Sequence, residues 1–332
     1  MKSDKYKDAM RSLRRYESKD QIKNDYLLRY GVGSISATKT TSVVMNIKQG
    51  RELFESASRS DYMTRPIELY YGMSSYSRAM ELIFNRSMSE SSLEQAHGIK
   101  ITNMPVNALD INAILNLEIE FERGGFTQWY RTTQDSFILR TNSSIATWVI
   151  GFDEDELAGK KIKFHELVKL FPDLSSEIHL LMDYDFPSLA VSSYSDMIIG
   201  FDGLASLENV KRCFPGLDES NITSINNTNW RVDFTSLGDF APQFVQQNED
   251  GFSIGTVLIV PPVNGLRLSP LATYMALAYV LSMLARYRPS IWGGIWTGGN
   301  ANRLYPLLSE FMDLANEWYP YVLSENLSMP RS

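Results

Sequence analysis

Apolar side chains recur at helical spacing through residues 65–84. The positions that share one face, four or three residues apart, are Leu69, Met73, Tyr76, Met80 and Ile83. That spacing follows the turn of an α-helix and not the alternation of a strand. Thr64 precedes the run as an N-cap, and Pro66 lies in the first turn, where its missing N–H is tolerated. The pattern therefore predicts a helix with one buried face.

Two further patterns predict helices near the C-terminus. Residues 271–285 form a mainly apolar run behind Ser269 and Pro270, a pair suited to a helix start. The run covers 15 residues, whereas a bilayer span needs about 20, so we expect a buried core helix and no membrane segment. Residues 304–318 are amphipathic, and Pro320 should end or kink that helix.

The sequence pattern predicts further helices in the first hundred residues and strands in the middle of the chain. We expect residues 4–30 and 48–58 to be helical, with residues 31–42 as a linker loop. The β-rich runs are 136–140, 146–152, 190–200, 230–235 and 253–260. We predict an α+β fold in which residues 1–124 and 265–332 pack together as a mainly helical bundle. Residues 125–264 would then be a β-rich insert, forming a second lobe.

Composition excludes several classes of protein. The chain has a formal charge of −7 and a pI near 5.2, which argues against a wholly basic nucleic-acid binder but not against a local basic patch. Cys213 is the only cysteine, so a disulfide framework and a cysteine zinc site are excluded and a reducing, cytoplasmic location is expected. The N-terminus lacks the apolar core of a secretion signal. The three histidines lack metal-binding spacing, and we expect neither a metal nor a cofactor.

Three blocks of the sequence resemble the YaaC-like family of bacterial proteins. They are residues 66–73 with Arg78-Ala79 and His97-Gly98; Gly124-Gly125-Phe126 with residues 164–174; and residues 281–287 with Pro289, Trp292 and Trp318-Tyr319-Pro320. Together the blocks are spread over most of the chain at low density. The resemblance implies membership of the family and brings no established activity with it.

A second resemblance concerns residues 70–97. Tyr70-Tyr71-x-Met73, followed by Arg78-Ala79 and His97, is similar to the helices of HEPN-type modules. Those modules are small helical bundles found in RNA-cutting toxins and phage-defence proteins. Their nuclease signature places an Arg a few residues before a His on one helix. Here Arg86, the nearest upstream Arg, stands eleven positions before His97, so the resemblance does not extend to the RNase signature.

Tyr71, Arg78 and His97 form the predicted polar cluster. Adjacent helical residues point about 100° apart, so one of Tyr70 and Tyr71 can pack in the core while the other faces a groove, where it could stack on a base. Arg78 follows Tyr71 by seven residues, about two turns, and shares its side. His97 would act as a general base or phosphate contact, or it would cap a helix end. His97 and Arg78 are the catalytic candidates.

Arg286 is the fourth candidate binding residue. It ends the apolar helix, where the partial negative charge of a helix C-terminus favours a cation and offers a purely structural explanation. If this helix neighbours the helix of residues 65–84, Arg286 would join Tyr71, Arg78 and His97 as an anion-binding residue.

Two functional hypotheses follow, and they belong to different classes. The first is a nucleic-acid- or nucleotide-directed bacterial effector, with phage defence as its setting, that binds RNA or a nucleotide through the polar cluster. The second is a non-enzymatic interaction protein whose helical bundle binds a protein partner or a second copy of itself. Neither involves a membrane, and the sequence leaves open whether the chain is an enzyme. Convergence of Arg78, His97 and Arg286 on one pocket would favour the first hypothesis.

Overall fold

The structure is a computed structural model, and its description covers most of the chain. The described residues are 4–31, 35–105, 111–140, 145–151, 154–184, 189–195, 198–201, 206–214, 216–226, 229–233, 243–246, 257–260, 263, 266–298 and 300–328. The linker residues 32–34 and parts of the predicted β-rich runs lie outside this set.

The chain divides into two compact units and crosses between them four times. Unit 1 comprises Met1–Gln134, Gly151–His165 and Ser269–Ser332, and unit 2 comprises Asp135–Ile150 and Glu166–Leu268. The helices are α1 (Asp4–Arg15), α2 (Lys19–Tyr30), α3 (Ala37–Ala57), α4 (Arg65–Phe84), α5 (Ile111–Leu115), α6 (Gly125–Tyr130), α7 (Glu154–Leu157), α8 (Phe164–Val168), α9 (Ser175–Met182), α10 (Leu207–Cys213), α11 (Pro270–Tyr287), α12 (Pro289–Thr297) and α13 (Tyr305–Ser328). The strands are β1 (Ile99–Ile101), β2 (Glu118–Phe121), β3 (Gln134–Arg140), β4 (Ile145–Gly151), β5 (Lys161–Lys163), β6 (Leu189–Ser195), β7 (Ile198–Phe201), β8 (Ile222–Ser224), β9 (Trp230–Asp233), β10 (Gln243–Gln246) and β11 (Val257–Val260).

Unit 1 is built around α4, which packs against α3, α11 and α13. Two glycines allow α3 and α4 to approach closely. A Cβ on Gly50 would lie 2.7 Å from the Tyr76 ring, and one on Gly72 would lie 2.7 Å from the Phe54 ring. Because real Cβ contacts are longer, the aromatic rings occupy the space that larger residues would fill. This packing fixes the position of α4, which carries the site described below.

The predicted apolar face of α4 is buried, with Leu69, Met73, Tyr76 and Met80 all fully inaccessible to solvent. Thr64 occupies the N-cap position, although its side chain makes no capping hydrogen bond. Each such side chain removed from water contributes about 1.5–3 kcal/mol to folding. Helix α4 is therefore held by tertiary packing more than by its cap.

Helix α11 is the buried core helix that its sequence predicts. Its side chains from Leu271 to Ser282 are all buried, and the Ser269 hydroxyl accepts a hydrogen bond from the Ala272 N–H at 3.2 Å. Within the described residues, no helix is long and apolar enough to cross a membrane.

One sequence-based expectation for unit 1 is wrong, and one of the two outcomes expected at Pro320, an end or a kink, is excluded. The linker predicted for residues 31–42 is helical from Ala37 onward, because Ser36 caps α3 and the hydroxyls of Thr40 and Thr41 bond back to carbonyls one turn earlier. Pro320 does not end the last helix, since α13 continues to Ser328.

The sheets are small and antiparallel. Unit 1 contains a three-stranded sheet in the order β1-β2-β5. Unit 2 contains a six-stranded sheet in the order β10-β11-β6-β7-β9-β8. Strands β3 and β4 form a separate pair. The predicted α+β class, with a mainly helical bundle, is confirmed.

Candidate functional site

Helix α4 places Tyr70 and Tyr71 in different surroundings, as their adjacency predicts. The Tyr70 side chain is 1% exposed, whereas Tyr71 is 37% exposed. Arg78 follows two turns after Tyr71 and is half-buried. Tyr71 and Arg78 therefore present an aromatic ring and a cation from one side of the same helix.

The loop that carries His97 is held by close backbone contacts between two glycine segments. The N–H groups of Gly125 and Phe126, at the start of α6, donate to the Ala96 and His97 carbonyls at 2.8 and 2.9 Å. Gly98 has φ +74°, and a Cβ there would lie 2.8 Å from the Gly124 carbonyl carbon. Only glycine combines that left-handed backbone with so close an approach. His97 lies in this loop before β1 and does not cap a helix.

His97 and Tyr70 form a hydrogen-bonded pair. The Tyr70 hydroxyl and the His97 Nδ1 are 2.8 Å apart. Burial raises the pKa of Tyr70 above its usual range. The pKa of His97 is lowered, first by burial and then by the positive charges of Arg286 and Arg78. Both side chains are therefore neutral at pH 7, and among the described residues His97 Nε2 has no hydrogen-bond partner.

Arg286 reaches the same place from the end of α11. Its Nη1 donates to the Tyr71 hydroxyl at 2.6 Å, and its guanidinium carbon lies 5.3 Å from the centre of the Tyr71 ring. Its Nη2 donates to the Met283 sulfur at 3.2 Å. Its Nε is buried and, within the described residues, has no hydrogen-bond partner.

Neither arginine is neutralised by a carboxylate. In the part of the chain that the structure describes, Arg78 makes no hydrogen bond or ion pair, and Arg286 makes no ion pair. By contrast, the nearby Arg131 lies 3.6 Å from the carboxylate of Glu81, whose side chain is 2% exposed. Since half-buried guanidinium groups are normally paired, Arg78 and Arg286 mark a place where an anion would be stabilised.

Tyr70, Tyr71, Arg78 and His97 line a cavity of about 360 Å³ in unit 1. Its walls include Gln49 and Leu53 of α3, Tyr70, Tyr71, Ser74, Arg78 and Glu81 of α4, the loop from Leu93 to His97, Phe126, Gln128 and Trp129 of α6, and Met275 of α11. The cavity thus combines aromatic and apolar walls with a few polar groups, which is typical of small-molecule sites.

The four predicted binding residues come together. Tyr71, Arg78 and His97 line the cavity, and Arg286 is joined to it through the Tyr71 hydroxyl. Of the three residues named in the geometric condition for the effector hypothesis, Arg78 and His97 line the cavity, and Arg286 reaches it only through Tyr71, so the condition is met in part. Arg288 lies apart, because it donates to the Pro105 and Tyr287 carbonyls.

Other polar side chains of unit 1, on α8 and on the three-stranded sheet, have structural partners. His165 Nδ1 lies 2.8 Å from the Leu115 carbonyl oxygen. Glu118 on β2 forms an ion pair with Lys161 on β5 at 2.7 Å, and Glu120 lies 3.5 Å from Lys100 on β1. These cross-strand pairs give Glu118 and Glu120, which alternate along β2, a structural role. Among the described residues, no cluster of His, Cys, Asp or Glu could hold a metal ion.

Sequence reasoning missed Tyr279. Its ring is 3% exposed and lies 5.3 Å from the Tyr70 ring and 5.9 Å from the His97 ring, between centroids. Burial raises its pKa to about 12. Tyr279 precedes Arg286 by seven residues, the same spacing that links Tyr71 to Arg78. That repeated Tyr–Arg spacing was the signal available in the sequence.

Comparison with known proteins places the chain in a family. The family described as YaaC-like Protein matches residues 4–327, nearly the whole length. The chain belongs to the YaaC-like family. No curated protein and no solved structure matches it. The match includes every residue around the cavity of this YaaC-like protein. The resemblance to HEPN-type modules stays a prediction.

Proposed function

We propose that this YaaC-like protein is a nucleotide- or nucleic-acid-directed effector that binds a phosphate group of its ligand in the cavity. The observation that carries the proposal is the pair of arginines, Arg78 and Arg286, which have no carboxylate partner among the described residues and lie beside Tyr71 and a neutral His97.

The chemistry of the four side chains suits a phosphate ester. A guanidinium offers several N–H donors in a plane that matches phosphate oxygens, and charge-assisted hydrogen bonds are about twice as strong as neutral ones. The Nε2 of His97 adds a third contact of the kind that a neutral imidazole makes. The partly exposed Tyr71 ring gives a base a surface on which to stack.

The hydrogen bond between Tyr70 and His97 holds the His97 imidazole, which can take up a proton. This pair alone does not show that the protein is an enzyme. Because the Tyr70 pKa is raised and the His97 pKa is lowered, the pair is uncharged before a ligand binds. A phosphate arriving near His97 would favour its protonated form, so ligand binding and proton uptake should be linked. The proposal therefore concerns binding first, and catalysis is tested separately.

The test is a thermal-shift screen with nucleotides beside incubation with labelled RNA. A ligand at about 100 times its Kd stabilises a protein by roughly 2.7 kcal/mol. Arg78→Gln and Arg286→Gln should each lower the affinity about tenfold or more, because each removes charged hydrogen bonds worth about 1.5–3 kcal/mol. The exposed Arg303 lies in the same unit, and Arg303→Gln is the matched control.

The outcomes separate the two functional hypotheses. Stabilisation or RNA binding that depends on Arg78 and Arg286 supports the effector. RNA cleavage lost on His97→Gln would make it an enzyme. If no nucleotide stabilises the protein and no RNA is bound or cut, the proposal is wrong, and the non-enzymatic interaction protein is the hypothesis that is left.

A further inference from the structure

The size of the cavity sets a limit on what can occupy it. Its volume of about 360 Å³ lies near the lower end of the range for small-molecule sites, roughly 300–1,000 Å³. Surfaces that bind single-stranded nucleic acid are instead extended grooves, which follow roughly 4–16 nucleotides per binding fold. One nucleotide matches the cavity, and a strand would have to continue beyond it.

The charges beside the cavity do not offer a path for a strand. A second recess of about 210 Å³ adjoins the cavity and shares Glu94 and Gln128 with it. Its two arginines are both engaged by carboxylates: Arg131 lies 3.6 Å from Glu81, and Arg123 lies 3.6 Å from Asp155. A second or third phosphate entering this recess would meet a carboxylate beside each of its two arginines.

The acidic side chains of the cavity also disfavour the binding of a nucleic-acid strand. Glu81 and Glu94 both line the cavity, and the whole chain carries a formal charge of −7. Binding a strand relies on neutralising many phosphates with Lys and Arg, and each added phosphate must gain a cation to contribute. Among the described residues of the site, the cations without a carboxylate partner are Arg78 and Arg286, which suffice for one phosphate group.

Beside the partly exposed Tyr71 ring, other walls of the cavity carry groups that suit a base. Phe126 and Trp129 of α6 and Leu93 supply apolar surface, and the side-chain amides of Gln49 and Gln128 supply hydrogen-bonding groups. The site therefore offers cations for the phosphate and aromatic and amide groups for the base of a single nucleotide.

We propose that the ligand of this cavity is a free mononucleotide, held by its phosphate at Arg78 and Arg286, and not a nucleic-acid strand. This inference rests on the proposed function and selects between its two ligand classes.

The experiment compares AMP, GMP, CMP and UMP with inorganic phosphate and with a ten-nucleotide RNA that lacks terminal phosphates, using calorimetry on the full chain. At least one mononucleotide should bind ten or more times tighter than phosphate and than the RNA. Arg78→Lys should weaken that binding several-fold, because lysine keeps the charge but loses the planar donor pair. Arg78→Gln should weaken it further, and Arg303→Gln should leave it unchanged.

Salt dependence gives a second readout. The logarithm of the affinity for a strand falls with the logarithm of salt concentration at a slope of about −0.7 per phosphate contacted. A mononucleotide held by one phosphate should therefore give a shallow slope, which corresponds to about one phosphate contact. Melting curves without ligand show whether each variant is folded.

Each other result overturns the inference in a recognisable way. If the RNA binds and no mononucleotide competes with it, the mononucleotide assignment fails while the proposed function stands. If inorganic phosphate binds as tightly as every mononucleotide, the base contributes nothing and the assignment fails. If none of these probes binds, the inference and the proposed function fail together.

Discussion

The backbone contact between Gly98 and Gly124 holds the His97 loop against α6, and alanine substitution should disrupt it. A Cβ at position 98 would lie 2.8 Å from the Gly124 carbonyl carbon, and a Cβ at position 124 would lie 2.6 Å from the Gly98 Cα. Both neighbours are backbone atoms, which cannot swing aside as a long side chain can. Substitution at either position must therefore move the chain next to His97.

Two separate costs can be assigned to these substitutions. Gly98 and Gly159 have φ +74° and +81°, and a left-handed backbone costs another residue about 1–2 kcal/mol. Overpacking costs about 1–3 kcal/mol. Gly159→Ala carries only the first cost, because no atom lies within 4 Å of its Cβ. Gly124→Ala carries only the second, because its φ of 160° is extended. Gly98→Ala carries both, about 2–5 kcal/mol.

Urea denaturation measures these differences in the free energy of unfolding. Gly98, Gly124 and Gly159 all lie in unit 1, so the same unit is perturbed in each variant. Nucleotide affinity is the second measurement: it should fall for Gly98→Ala and stay unchanged for Gly159→Ala. If Gly98→Ala were no more destabilising than Gly159→Ala, the glycine contact would not be what positions His97.

Three further predictions concern His97, Lys39 and phage infection. Arg286→Gln should raise the pKa of His97, measured by NMR titration, but burial and Arg78 should hold it below about 6.5. An unchanged pKa would show that Arg286 does not act on His97. Because folding lowers the His97 pKa, the stability that His97 contributes is complete above its unfolded pKa of about 6.5. That stability is lost as the pH falls through the folded pKa. Lys39→Met should cost about 1.5–3 kcal/mol in urea denaturation, because the buried Lys39 amine donates to the Asn85 and Arg86 carbonyls at 2.7 and 3.1 Å; a change below 0.5 kcal/mol would contradict this. If the effector acts in phage defence, expression should lower phage plating, and Arg78→Gln should restore it.

The helices were predictable where one face is continuously apolar, as in α4 and α11. The start of α3 was not, because four of the six residues 37–42 are Thr or Ser, which have weak helix propensity. Burial decides the outcome there: Thr40 and Val43 are fully buried, and Thr40 satisfies its hydroxyl on the Ser36 carbonyl. Tertiary packing outweighs local propensity in that segment.

The candidate site was predictable in part for a similar reason. The spacing from Tyr71 to Arg78 is local, so one helix is enough to place them together. Tyr279 joins the site only because α11 packs on α4, and that contact is set by the fold of the whole unit. The Tyr70–His97 hydrogen bond likewise depends on the loop that Gly98 and Gly124 hold.

The discontinuity of unit 1 has a consequence for the timing of its synthesis. The hydrogen bond between Tyr71 and Arg286 joins residues 215 positions apart. At a translation rate of roughly 5–20 residues per second, Arg286 is made about 10–45 s after Tyr71. Until α11 emerges from the ribosome and docks on α4, the cavity lacks one of its two cations. If the site binds a nucleotide as proposed, a nascent chain without α11 should bind it about tenfold or more weakly than the finished protein, as expected for Arg286→Gln.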